Sequence, residues 1–123
     1  MKKVFELTVT EVDVFDFKTG KWSTLEQPVP TQRAGCTAIS IKNKIIFAGG
    51  ESTAETKAHN EVECFDTDTN TWSKLPSLVE GRHGTQLIWY KKKLYIASGS
   101  GGRGGGPELI TLECFADKHL NSK

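Results

Sequence analysis

Val62-Glu63-Cys64-Phe65-Asp66 stands 50 residues after Val12-Asp13-Val14-Phe15-Asp16 and 50 before Leu112-Glu113-Cys114-Phe115-Ala116. Trp22-Ser23 recurs at the same spacing as Trp72-Ser73. A second set recurs at 49 residues: Arg33-Ala34-Gly35 as Arg82-His83-Gly84, and Ile45-Ile46-Phe47-Ala48-Gly49-Gly50 as Leu94-Tyr95-Ile96-Ala97-Ser98-Gly99. The offset changes between Gly50 and Val62 on one side and Gly99 and Leu112 on the other. That stretch reads as a loop. Length changes confined to a loop, with apolar runs of fixed length, mark a structural repeat.

Within each unit the apolar runs are short, rich in β-branched and aromatic residues, and punctuated by turn formers. Cys36 to Ile41 and Lys44 to Ala48 flank a turn at Lys42-Asn43. Val62 to Phe65 and Thr71 to Leu75 flank Asp66-Thr67-Asp68-Thr69-Asn70, whose residue types tolerate turn conformations. Four strands per unit of about 50 residues is the pattern of a propeller blade. No segment carries useful helical periodicity. The expected fold class is all-β, a partial β-propeller of four-stranded antiparallel blades.

These residues resemble the kelch repeat of the galactose-oxidase-like propeller superfamily. The resemblance runs through Arg33 to Gly35, the Gly49-Gly50 doublet, Phe65-Asp66 and Asn70-Thr71-Trp72, and covers residues 12 to 115. It implies an outer half-blade at 12–27, a complete blade at 33–78, and a blade lacking its Trp strand at 82–115. Residues 1–11 form a leader and 116–123 a degenerate tail, in which Ser122 takes the place of Trp72. Phe15, Phe65, Phe115, Trp22, Trp72, Gly49, Gly50 and Gly99 are expected to be structural. The glycines serve where backbone approaches closely or adopts positive φ, and the Trp rings fill space between twisted blades. The second unit departs from the doublet, with Ser98-Gly99 in its place.

A formal charge of +1 gives no electrostatic case for nucleic acid. Lys91-Lys92-Lys93, the one basic cluster, reads as a solvated hairpin tip. No apolar stretch approaches the ~20 residues of a membrane span, and Glu6 interrupts the stretch after Lys2-Lys3 that a secretory signal would need. Three cysteines lack metal-ligand spacing and form no disulfide framework, which favours a reducing, cytoplasmic setting. Cys36, Cys64 and Cys114 read as small buried hydrophobes.

Gly99-Ser100-Gly101-Gly102-Arg103-Gly104 satisfies G-x-G-x-x-G, but leads to Pro107 and a strand-like run from Leu109 to Leu112 rather than to a helix. A dinucleotide site needs that helix, so a variable rim loop is the reading. His59, His83 and His119 share no spacing and show no evident carboxylate partner; neither a metal site, a cofactor nor a catalytic set is expected. The residues that point toward a ligand face are Arg33, Arg82 and His83. The resemblance implies that the Arg lies near the channel mouth, where its planar fork can grip carboxylates. The competing reading is that each Arg pairs with strand-end carboxylates or carbonyls and merely ties blades together.

The function expected is a non-catalytic scaffold for a protein or small-molecule ligand on the propeller face. The alternative is part of a sugar-active propeller similar to galactose oxidase or the sialic-acid mutarotases. Neither nucleic acid nor membrane is an expected partner. A stable lone monomer is not expected, because repeat units bury their faces only against neighbours: copies associate to complete the propeller, or the chain is a fragment of a longer one.

Overall fold

The computed structural model describes residues 10–121. Most of the expected leader, and Ser122 in the tail, lie outside them. Among the described residues nine strands form three antiparallel sheets. The first is the hairpin β1 (Asp13–Asp16) and β2 (Lys21–Thr24). The second runs in order through β3 (Thr37–Ile41), β4 (Lys44–Ala48), β5 (Val62–Asp66) and β6 (Thr71–Leu75). The third comprises β7 (Leu87–Tyr90), β8 (Lys93–Ala97) and β9 (Leu112–Phe115). One helical turn, α1 (Lys118–Asn121), follows. The architecture is all-β, and the sheets are the blades of a partial kelch-type propeller. Among the described residues no helix is long and apolar enough to cross a membrane.

The β1–β2 and β5–β6 turns repeat one another closely. Asp66 Oδ1 accepts hydrogen bonds from the Asp68 and Thr69 amides at 2.9 and 3.3 Å. Asp16 Oδ1 does the same for Lys18 and Thr19 at 2.7 and 3.4 Å. Each turn closes through a left-handed residue, Asn70 (φ 55°) in one and Gly20 (φ 67°) in the other. Lys91 and Lys92, both at positive φ, make the two-residue turn between β7 and β8, the chirality that matches strand twist. The last strand begins at Leu112, so Leu109 and Ile110 belong to the loop before it.

Strand alternation decides the packing. Ile46 faces Cys64 across β4 and β5, while Ile45 faces Phe65 and Phe65 faces Trp72. The Ile46 side, with Ile41, Ala48 and Val62, packs against Leu87, Leu94 and Ile96 of the third sheet to make the core. Thr37 bridges the two sheets: its Oγ1 accepts from the Leu87 amide at 2.9 Å and donates to Gln86 Oε1 at 2.6 Å. The opposite, aromatic side of the second sheet turns toward β1 and β2. There Trp72 is half-buried beside Phe65 and Phe47, at ring separations of 5.1 and 5.4 Å.

Trp22 occupies the equivalent place in the first sheet and rests on Phe15 at 5.1 Å, yet is 70% exposed. Among the described residues no sheet covers that face. Cys114 corrects the reading of the cysteines as buried: it is exposed, whereas its counterpart Cys64 is buried. Burial pushes the Cys64 thiol above its usual range, with Lys44 offsetting only part of the effect.

Candidate functional site

Each repeat Arg is a strut inside its own unit. Arg33 Nη2 donates to Glu63 Oε2 at 3.0 Å and Nη1 to the Glu61 carbonyl at 3.3 Å. Thr31 Oγ1 holds the other Glu63 oxygen at 2.5 Å. The Arg33 and Glu63 side chains are 1% and 0% exposed. Arg33 Nε is buried without a hydrogen-bond partner among the described residues.

Arg82 repeats the arrangement in fuller form. Nη2 meets Glu113 Oε2 at 2.6 Å and Thr111 Oγ1 at 3.0 Å; Nη1 meets the Ser98 and Thr111 carbonyls at 3.0 and 3.1 Å. Nε donates to the Glu80 carbonyl at 3.3 Å. All five guanidinium donors thus have acceptors, and the side chain is 0% exposed. Glu113 also takes the Val79 and Glu80 amides at 2.6 and 3.1 Å. Burying charge at this depth demands such complete pairing.

Strand carboxylates were among the partners expected for each Arg, but Glu63 and Glu113 were not named in the sequence reading. The signal was present: Glu63 and Glu113 each stand two residues before the repeat Phe. A strand acid reads as the solvent half of an alternation until its Arg partner is known.

The two Arg are joined through the glycine doublet. The Gly50 amide donates to the Arg82 carbonyl at 2.9 Å, and a Cβ on Gly50 would lie 3.2 Å from Arg33 Cδ. Gly99 repeats the close approach, its Cβ position being 2.5 Å from the His83 carbonyl. His83 is half-buried; its Nε2 lies 2.8 Å from the Gly102 carbonyl and 3.8 Å from Glu51 Oε2.

His83 therefore sits on the seam between two loops, 51–61 and 99–108. The Ala58 amide donates to the Gly101 carbonyl at 2.9 Å, and the Arg103 amide to the Thr56 carbonyl at 2.8 Å. The Gly104 amide reaches Glu51 Oε2 at 2.7 Å, and Arg103 Nη1 the Thr53 carbonyl at 3.2 Å. A cavity of about 540 Å³ opens along this seam between Glu55, Lys57, Asn60, Glu80, Gly102 and Pro107. The glycine-rich stretch 99–104 is part of this rim and leads to β9 with no intervening helix.

Two histidines have carboxylate partners that their spacing did not reveal. His59, 5% exposed, has Nδ1 at 3.0 Å from Glu61 Oε2 and Nε2 at 2.8 Å from Ser52 Oγ. His83 has Glu51, as above. Loop path, rather than sequence spacing, brings these groups together. Partial burial pushes the Glu61 carboxyl up, but its own amide, His59 and Arg33 outweigh that, leaving it below the usual carboxylate range. The His119 side chain lies outside what the structure describes.

Residues 32–79 match the family model described as the Kelch motif. The chain is 30% identical over 93 residues to Kelch-like protein terF of Aspergillus terreus, covering 74% of this chain and 20% of that protein. It is 32% identical over 111 residues to human Kelch repeat and BTB domain-containing protein 8, covering 85% and 18%. With the human Rab9 effector protein with kelch motifs it shares 32% over 98 residues, covering 74% and 26%. The chain spans about a fifth of the length of the first two relatives. The repeat, the sheets and these likenesses agree: the chain is a kelch-repeat protein.

Proposed function

We propose that this chain is a segment of a kelch propeller that holds a protein partner on the rim made by loops 51–61 and 99–108. The observation that carries this reading is the seam: hydrogen bonds from both loops lock them into one surface, on a scaffold whose repeat Arg residues are buried. Rigid sheets presenting loops are a general design for binding. The names of two relatives, a Rab9 effector and a BTB-containing protein, also support a role in protein interaction. On this reading Arg33 and Arg82 are struts that hold the rim in place, and the exposed Lys57 and Arg103 contact the partner. Affinity capture with the wild-type chain and with a Lys57→Glu, Arg103→Glu variant tests it. The expected result is loss of the specifically captured partners from a variant with an unchanged circular-dichroism spectrum. Identical capture by both proteins would place binding elsewhere.

The same scaffold logic assigns a neighbour to the third sheet. Ile41 is 6% exposed but its equivalent Tyr90 is 58% exposed, and Val62 at 1% corresponds to Leu112 at 63%. In the second sheet these positions are covered by the third. We read the third sheet's outer face as the seat of a further unit of the same repeat, which a second copy supplies when this chain is alone.

A further inference from the structure

Ser52 and His59 stand where the next unit has Gly101 and Leu109. The backbone fixes this equivalence. Ala34 bridges to Glu51 as His83 bridges to Ser100. The His59 amide donates to the Gly50 carbonyl, and the Leu109 amide to the Gly99 carbonyl, both at 2.8 Å.

In the second unit the pair is an apolar plug. Leu109 is 9% exposed, and its Cδ2 lies 3.1 Å from where a Cβ on Gly101 would be. In the first unit the same room holds an imidazole 5% exposed, joined to Ser52 Oγ. The scaffold accepts the apolar pair, and a buried polar ring costs free energy unless its nitrogens are satisfied. The polar pair is therefore not required by the fold.

What surrounds the ring gives it a use. His59 Nδ1 faces Glu61 Oε2 at 3.0 Å, and Glu55 brings a second carboxylate, so that ligand atoms of all three lie within 4.8 Å of one another. Donors on an ion with bonds of about 2.0–2.2 Å stand within about that distance of each other. In the tautomer whose Nε2–H donates to Ser52 Oγ, the Nδ1 lone pair points at the carboxylate. Two such groups repel unless a cation or a proton lies between them. An outer hydrogen bond that fixes the tautomer is the usual support of a ligating histidine. Two carboxylates and a neutral imidazole balance a divalent charge. Arg33 helps to lower the Glu61 carboxyl, but its salt bridge is made to Glu63.

We propose that Glu55, His59 Nδ1 and Glu61 bind a divalent cation of the zinc class, with Ser52 positioning the imidazole, at the edge of the rim cavity. The test is calorimetric titration of the full chain with zinc chloride, alongside absorption spectra with cobalt(II). The wild type is expected to bind one zinc per chain and to give the intense visible bands of a low-coordinate cobalt site. Ser52→Ala should weaken binding about 10-fold. Glu55→Gln, at an exposed position, should weaken it without altering the fold.

The variant carrying Ser52→Gly with His59→Leu recreates the plug of the second unit. It should keep the metal-free melting temperature and lose at least about 100-fold in affinity, as expected when a ligand and its support are both removed. No zinc binding by the wild type would leave a plain His59–Glu61 ion pair and overturn the proposal. Undiminished binding by the double variant would overturn it too, assigning the metal to groups such as the exposed Cys114.

Discussion

A Cβ placed on Gly49 would stand 2.1 Å from the carbonyl oxygen of Arg82, the same oxygen that accepts the Gly50 amide. The end of β4 and the entry to the next unit thus touch through bare backbone. Gly49 is also at φ 69°. Gly49→Ala should cost about 2–4 kcal/mol, combining left-handed strain with overpacking. Gly84→Ala separates the two effects, because Gly84 shares φ 69° but has nothing within 4 Å of its Cβ position. That variant should lose only about 1–2 kcal/mol. Urea denaturation midpoints of the pair decide; equal losses would remove the close approach from the account.

The Arg82–Glu113 strut should outweigh the more visible Lys44–Asp66 pair. Arg82 is 0% exposed, whereas Lys44 and Asp66 are 23% and 24% exposed. Arg82→Met strands Glu113 and several carbonyls, and is expected to cost about 3–5 kcal/mol. Lys44→Met should cost no more than about 1 kcal/mol. Thermal or urea unfolding of both variants checks the ranking.

Asp66 should mark the acid limb of stability. Its hydrogen bond from Lys44, then the Asp68 amide, hold its carboxyl below the usual range against a small opposing effect of burial. A depressed folded value means the contribution is present above the unfolded carboxylate pKa and disappears as pH falls through the lower, folded one. The melting-temperature difference between wild type and Asp66→Asn should therefore be largest near neutrality and shrink below about pH 4. A difference that does not change with pH would mean that ionised Asp66 contributes nothing.

The repeat made the sheets legible. Strand spacing and turn chemistry recur in the sequence itself, and local hydrogen bonds such as those of Asp16 and Asp66 realise them. The two Trp show where this ends. Trp22 and Trp72 hold equivalent repeat positions, each followed by Ser, but Trp22 is 70% exposed because burial depends on what lies opposite, which a repeat does not encode. Glu63 was visible as a repeated residue, though not as the partner of Arg33, since that contact spans 30 residues. The grouping of Glu55, His59 and Glu61 was illegible for a different reason: it depends on the path of a loop that differs between units.

The central claim is that each unit buries its faces only against another unit of the same kind. Light scattering on the purified chain tests it most directly. Tyr90, Leu112 and Ile88 at 58–63% exposure on one flank, and Trp22 at 70% on the other, make apolar ends that the described residues leave uncovered. The account predicts a mass above the 13.6 kDa of one chain, in closed assemblies or in larger aggregates. A monodisperse 13.6 kDa species with a cooperative melt would contradict it.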